Sequence, residues 1–148
     1  VALSTNLAPT VARSTTKIDN FSFQLADGWD LEKVASTDLV KWPIAATWDP
    51  AGNLIIAESA GVKQSVQEQL QSLPHRVIRL IDEDRNGTFD KRQVVAERLA
   101  FPEGVLCIGN DILVSAPPQI WRLTDSDGDG VCEGREIWHD GKTLTGCA

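Results

Sequence analysis

The chain has 148 residues, of which 42% are hydrophobic and 24% are charged, a balance typical of one modest globular domain. Its formal net charge of −7 argues against a nucleic-acid partner, because binding to phosphates requires clustered lysine and arginine. No apolar run in the sequence is long enough to predict a membrane-spanning helix.

The first 20 residues are predicted to form a flexible tail, because small polar residues dominate them and no periodic pattern is sustained. Regular structure is expected from Phe21, where apolar and polar residues alternate as in a half-buried strand. Asp27-Gly28 then marks a turn, and alternation resumes over residues 31–35.

Residues 43–99 are predicted to form one four-stranded unit. Pro43 opens the first strand, and a turn rich in Asp, Pro, Gly and Asn at residues 49–53 leads into a second. Residues 60–75 contain good helix formers and no β pattern, which predicts an inserted loop with a short helix. The strand that follows runs directly into an acidic loop.

Residues 101–140 repeat this order more compactly. Aligning Val-Ile-Arg-Leu at 77–80 with Ile-Trp-Arg-Leu at 120–123 places Asp82 over Asp125, 43 residues further along the chain. Four short strands within such a period are typical of a propeller blade. The sequence therefore predicts an all-β fold of four-stranded antiparallel propeller blades, about two blades plus one extra strand, with DxDxDG calcium loops between strands.

Each repeat carries a loop whose acidic residues are spaced for a hard cation. In the second loop, acids occupy positions one, three, five, nine and twelve, and Gly130 at position six allows a sharp turn. Calcium takes about six to eight oxygen ligands from a flexible loop of this kind. The first loop is a weaker copy, since Gln93 at position twelve offers one neutral oxygen at best. The predicted ligands of two calcium ions are Asp82, Asp84, Asn86, Thr88 and Asp90 in the first loop and Asp125, Asp127, Asp129, Val131, Glu133 and Glu136 in the second.

A helix–loop–helix EF-hand pair is the competing interpretation of these loops. However, Pro117-Pro118 leaves only residues 119–124 before the second loop, about 9 Å of helix. The β-branched and aromatic flanks, such as Ile120 and Trp121, favour strands. The loops are therefore interpreted as strand–loop–strand sites.

Neither the cysteines nor the histidines suggest chemistry. Cys107, Cys132 and Cys147 include no CxxC pair, which excludes a zinc ribbon or c-type haem attachment within this segment. They are interpreted as small packed residues, and a disulfide between Cys132 and Cys147 is the alternative. His75 and His139 lie beside turns without a second ligand at suitable spacing, so a surface role is predicted and no catalytic residue is assigned.

The repeated run of a Pro-led strand, a DxxGN-type hairpin, an I-x-R-L strand and a DxDxDG loop resembles the N-terminal blades of a six-bladed propeller. It is similar to the membrane-bound dehydrogenase propellers of planctomycetes, within the glucose/sorbosone dehydrogenase-like group, as are residues 23–35 and 101–105. The resemblance implies a secreted or periplasmic protein whose relatives oxidise sugars with pyrroloquinoline quinone. No quinone-binding residue matches, and the CxxCH haem motif of many members is absent.

Three functions are expected from these observations. The first is a calcium-binding propeller segment with a structural role, completed by further blades of the same propeller or by other protein chains, for instance in a homo-oligomer. The second is the N-terminal part of a quinone-dependent sugar dehydrogenase-like enzyme. The third is an adhesion or carbohydrate-binding module rigidified by calcium. The expected location is periplasmic or extracellular, where calcium suits loops of modest affinity.

Overall fold

The computed structural model describes residues 13–142, and a division between Val34 and Ala35 separates two compact units. The described residues form ten strands in three antiparallel sheets and one short helix, which confirms the predicted all-β fold. Within this range, no helix is long and apolar enough to cross a membrane.

The first unit contains a β-hairpin in which β1, Arg13–Ile18, pairs with β2, Phe21–Ala26. The prediction of a tail up to residue 20 is therefore wrong for residues 13–18, while residues 1–12 lie outside the described part. Composition suggested disorder, but β-branched Thr and Ile residues in this segment form a strand once a partner strand is adjacent. The strand suggested by alternation at residues 31–35 does not form.

The first four-stranded sheet lies in the second unit and follows chain order, with each strand pairing antiparallel to the next. Its strands are β3, Pro43–Trp48; β4, Leu54–Glu58; β5, His75–Ile81; and β6, Lys91–Leu99.

Helix α1, Val66–Ser72, lies between β4 and β5. Its N-terminus has a reciprocal cap, in which Ser65 Oγ accepts from the Glu68 N–H while the Glu68 carboxylate accepts from the Ser65 N–H. None of the helical residues is buried, so the helix is defined by its own cap and sequence and not by core packing.

The second four-stranded sheet has the same order and pairing as the first. Its strands are β7, Gly104–Ile108; β8, Asp111–Ala116; β9, Gln119–Thr124; and β10, Gly134–Asp140. The repeat extends to irregularities: β6 has an extra residue at Val95, and β10 has one at Trp138, 43 positions later. The two sheets are thus copies of one unit, and their third and fourth strands are joined by the acidic loops.

The two sheets pack face to face around one apolar cluster. Ile55, Val77 and Val95 on the first sheet meet Val114 and Leu123 on the second, and all five are completely buried. We call the face that a sheet turns toward the later part of the chain its downstream face, and the opposite one its upstream face. The downstream face of the first sheet therefore packs against the upstream face of the second.

The upstream face of the first sheet is covered by a segment of irregular chain. Ile56, Ile78, Leu80 and Phe89 form a second buried cluster on this face. Three apolar residues from the preceding segment, Ala35, Leu39 and Val40, pack against this cluster. The segment at residues 35–40 thus covers part of this face, while Trp48, which lies beside Phe89 on the same face, stays 61% exposed.

An ion pair with hydrogen bonds attaches this segment to the sheet. Glu58 is 2% exposed and accepts from the Lys41 N–H and from both terminal nitrogens of Arg92, at 2.7 and 3.0 Å. Arg92 also donates to the Leu39 carbonyl at 2.9 Å. Burial acts to raise the pKa of Glu58, but the Arg92 hydrogen bond, the Lys41 N–H and the Arg92 and Arg76 charges hold it below its usual value.

The Glu58→Gln substitution is expected to lower the free energy of unfolding by about 3 kcal/mol, because it leaves the Arg92 guanidinium without its buried counter-charge. Urea unfolding monitored by tryptophan fluorescence measures the change. Glu83→Gln is the matched control, since Glu83 pairs with Lys91 on an exposed surface and its loss should have no measurable effect. Equal effects of the two substitutions would contradict this assignment.

His75 is buried, so the prediction of a surface role for it is wrong. Its side chain is 4% exposed, its Nδ1 accepts from the Ala60 N–H at 3.0 Å, and its Nε2 lies 2.8 Å from Gln69 Oε1. Both contacts suit a neutral ring that donates from Nε2. Burial and then the Arg76 charge lower the pKa of His75, since both oppose protonation.

Because the folded state holds His75 neutral, this residue should make the protein less stable as the pH falls below about 6.5, where the unfolded chain takes up the proton first. Above that pH its contribution is fully present. Urea midpoints at pH 7.5 and 5.5 should therefore differ more in the wild type than in His75→Gln. His139→Gln, at an exposed histidine, should behave as the wild type; a His75→Gln variant with an unchanged pH loss would refute the assignment.

Candidate metal centres

The second acidic loop brings four carboxylates together. Oxygen atoms from Asp125, Asp127, Asp129 and Glu133 all lie within 4.8 Å of one another. Four like charges at this separation repel, and a divalent cation between them would offset that repulsion. The oxygens are hard ligands of the kind that calcium prefers.

Backbone N–H groups hold these carboxylates in place. Asp125 accepts from Gly128 at 2.7 Å and from Gly130 at 2.8 Å, so one side chain defines the turn of the loop. Asp127 and Asp129 each accept from the N–H two residues later. The turn needs positive φ at Gly128 and Gly130, +82° and +90°, which glycine adopts without steric cost.

Glu133 is positioned across the loop by Ser126. Its carboxylate accepts from the Ser126 N–H at 3.1 Å and from the Ser126 hydroxyl at 2.9 Å. These two bonds hold the pKa of Glu133 below its usual value, which keeps the carboxylate charged. Position nine of the loop therefore lies in the carboxylate cluster, and its role as a ligand stays a prediction.

The first acidic loop brings together the carboxylates of Asp82, Asp84 and Asp90. Asp82 accepts from the Asn86 and Gly87 N–H groups at 3.1 and 2.8 Å, and the Gly87 bond corresponds to the bond from Gly130 to Asp125 in the second loop. Burial acts to raise the pKa of Asp82, but these N–H groups outweigh it and lower the pKa. With three carboxylates against four, this loop is the less charged of the two candidate sites.

Asn86, Thr88 and Val131, predicted as ligands at positions five and seven, lie within the turns. Asn86 donates from its amide to Asp84 at 2.9 Å and accepts from the Thr88 N–H at 2.8 Å. The Val131 N–H donates to Asp129 at 2.7 Å. Their roles as ligands stay predictions.

The structure does not bring position twelve of either loop into its cluster. Glu136 lies on β10 directly opposite Arg122 and accepts from its guanidinium at 3.0 Å. Strand pairing already begins at Gly134, so position twelve belongs to the strand and not to the loop. Gln93 likewise lies on β6 and interacts with the other repeat. The EF-hand spacing therefore does not place position twelve in either carboxylate cluster, because strands flank the loops, and the role of Glu136 as a ligand stays a prediction.

Gln93 and Arg79, on the first sheet, hold the backbone of the second loop, and we call this pair the clamp. Gln93 Nε2 donates to the Asp129 carbonyl at 2.8 Å, and Arg79 Nη1 donates to the Gly130 carbonyl and to Gln93 Oε1, both at 3.3 Å. The Arg79 side chain is also ion-paired with Asp49, 3.4 Å away. The second loop is thus a bridge between the two sheets as well as a candidate metal site.

Three further hydrogen bonds extend this bridge along β6. The Cys132 N–H donates to the Val95 carbonyl at 2.8 Å. Arg135 donates to the carbonyls of Glu97 and Arg98 at the end of the strand. No local sequence pattern predicts the clamp, since its partners lie far apart along the chain, 51 residues in the case of Arg79 and Gly130.

Among the described residues, Cys107 and Cys132 are half-buried free thiols. Burial, with the nearby Asp125 charge, raises the pKa of Cys132 to about 11, so its thiol is protonated and a poor metal ligand. Cys147, the proposed disulfide partner, lies outside the described residues.

Comparison with known proteins identifies a family and a related fold. The model of a family described as a domain of unknown function, DUF7133, matches residues 16–146. An iodide structure of a Trichoderma reesei carbohydrate-active enzyme of family AA12 is similar, with a TM-score of 0.54 and 20% sequence identity. The similarity covers 89% of this chain but 29% of that one, and it shows a common fold only. No curated protein matches the sequence.

Gly130→Ala is expected to destabilise the protein by about 3 kcal/mol, and Gly128→Ala by about 1 kcal/mol. Both substitutions impose positive φ on alanine, but only at Gly130 would the new Cβ collide with the clamp, 2.5 Å from Gln93 Oε1 and 2.6 Å from Arg79 Nη1. Urea unfolding in chelator separates this effect from metal binding. Equal losses in the two variants would show that the clamp does not constrain the loop.

Proposed function

We propose that this chain, which belongs to the DUF7133 family, is a calcium-binding segment of a β-propeller that has a structural role in a larger assembly. The observation that carries the proposal is the convergence of four carboxylates within 4.8 Å in the second loop. The first loop, with its three carboxylates, is the second calcium site of the proposal. Calcium of modest affinity suits a periplasmic or extracellular location.

Calcium would stabilise more than the loop that binds it. The second loop contributes its own backbone carbonyls to the contact between the two sheets, through Gln93 and Arg79. Ordering this loop therefore orders the interface, and removing the ion frees four repelling carboxylates beside it. The proposed role of the ion is to fix the angle between consecutive repeats.

Exposed apolar side chains on both sheets support the assembly role. Trp48, Leu106, Ile108 and Trp138 are large hydrophobic residues with 52 to 61% of their surfaces exposed. Native proteins normally cover strands and apolar surface of this kind with other elements or with other chains. Further blades or other protein chains would complete the structure.

The family AA12 similarity favours a second candidate, in which the chain is the N-terminal part of a larger carbohydrate-active enzyme. The sugar dehydrogenase-like variant of this idea requires quinone binding in the complete assembly. Equilibrium dialysis of pyrroloquinoline quinone against that assembly tests it, and retention of no quinone would remove it.

Calcium titration by calorimetry should give two sites in the natural chain and one in Asp127→Asn, with a loss of the calcium-induced rise in melting temperature. Asparagine keeps the oxygen that accepts from the Asp129 N–H but removes a charged ligand. At a calcium concentration of 100 times the dissociation constant, one site should add about 2.7 kcal/mol of stability.

Asp84→Asn should remove the other site in the same way, since it also keeps its contact with the Asn86 N–H. Asp30→Asn is the matched control, because Asp30 is an exposed aspartate that accepts from its neighbour's N–H outside both clusters. The proposal fails if calcium does not bind, or if the control variant loses as much binding as Asp127→Asn.

A further inference from the structure

The two sheets share one pattern, but only the first has its downstream face covered. On β6, Val95 is completely buried against the second sheet, whereas its counterpart on β10, Trp138, is 58% exposed. Leu106 and Ile108 on β7 are exposed by 52% and 54%. The second sheet thus presents a broad apolar surface at the position where the first sheet binds a neighbour.

The polar residues of the clamp also recur on this surface. Arg122 occupies the position of Arg79, and Glu136 occupies that of Gln93, each 43 residues later. Arg122 is paired with Asp111, as Arg79 is with Asp49. In the first sheet this arrangement holds the loop backbone of the next repeat, so the second sheet has the framework for the same contact.

The charge at position 136 defines what can bind. Gln93 donates to the Asp129 carbonyl, but a glutamate cannot donate and would repel a carbonyl oxygen. A partner must therefore give Arg122 an acceptor and Glu136 a donor. The second repeat of another copy does not meet this requirement, because its loop presents the Asp129 carbonyl at that place.

Docking of a second copy through its first sheet is also obstructed. The upstream face of that sheet, which would have to meet Trp138 and Leu106, is already partly covered by residues 35–40. Buried Glu58 and Arg92 fasten that segment through Lys41 and Leu39. Head-to-tail association of identical chains would have to displace it.

We propose that the downstream face of the second sheet docks a further four-stranded repeat, different from both repeats here, whose loop gives a carbonyl to Arg122 and a hydrogen-bond donor to Glu136. This inference rests on the proposed structural role and adds the surface, the polarity of assembly and the chemistry of the partner. Growth of the array proceeds from the second sheet, since the first is partly covered by its own segment.

The test inserts a third repeat into the full chain. A copy of residues 100–142 placed between Lys142 and Thr143 preserves the spacing, because Lys142 corresponds to Leu99. Two versions are compared, one with Glu136 and one with Glu136→Gln, which restores the donor that Gln93 provides. Hydroxyl-radical footprinting measures the exposure of Trp138, and Trp29, 74% exposed in the first unit, is the internal reference.

Labelling of Trp138 should fall about tenfold in the Glu136→Gln version, as expected when a covered site opens only by local unfolding. Labelling should fall less in the version with Glu136, because its carboxylate repels the backbone carbonyl of the copied loop that corresponds to the carbonyl of Asp129. Alanine in the copied repeat at the position of Gly130 should restore labelling, since its Cβ would meet Arg122 and the substituted side chain at position 136 as it meets the clamp in the first sheet. That variant distinguishes docking from unspecific collapse.

Unchanged labelling of Trp138 in the Glu136→Gln version overturns the proposal. Free hydrogen exchange at the backbone amides of the inserted repeat also overturns it, because equivalent contacts order the second sheet on the first. Equal protection in both versions overturns the stated partner chemistry. Calcium binding is measured separately on the natural chain. Docking without calcium binding would refute the proposed calcium role alone, and calcium binding without docking would refute this inference alone.

Discussion

The arrangement of the second unit depends on how the first sheet holds the backbone of the second acidic loop. A loop that enters an interface brings backbone carbonyl groups with it. Burying these groups without hydrogen-bond donors would destabilise the folded state. Gln93 and Arg79 supply those donors to Asp129 and Gly130. Because the same loop carries the clustered carboxylates, cation binding and the packing of the sheets involve one set of backbone atoms.

The need of buried backbone groups for hydrogen-bond partners also explains why the first sheet has a buried ion pair and the second does not. Glu58 on β4 corresponds to Ala116 on β8, as their positions in the strand pairing show. The first sheet is covered by irregular chain, whose Lys41 N–H and Leu39 carbonyl need partners, and Glu58 and Arg92 provide them. The second sheet is covered by strand faces whose backbone groups are already paired, so a small apolar residue suffices.

Much of the fold was predictable because its signals are local. Alternation of apolar residues and the DxDxDG spacing identified the four-stranded repeats and both acidic loops. Glu136, predicted as a ligand at position twelve, instead lies opposite Arg122 on β10, because EF-hand spacing counts along the chain, whereas strand pairing had already begun at Gly134. His75 was misjudged because a nearby turn says nothing of burial by distant residues. The clamp joins side chains to a loop 51 residues away in the case of Arg79, and no periodicity encodes that contact.

The connections between the second and third strands differ between the repeats, although the strand pairings agree. In the second sheet Pro117-Pro118 suffices, while in the first residues 59–74 form an excursion with a self-capped helix that buries none of its own residues. Lengthening the connection between the second and third strands therefore costs only loop-closure entropy, which grows slowly with added residues. This connection is where a lineage of such repeats could acquire new surface without disturbing strand register, and where an engineer could graft a recognition epitope.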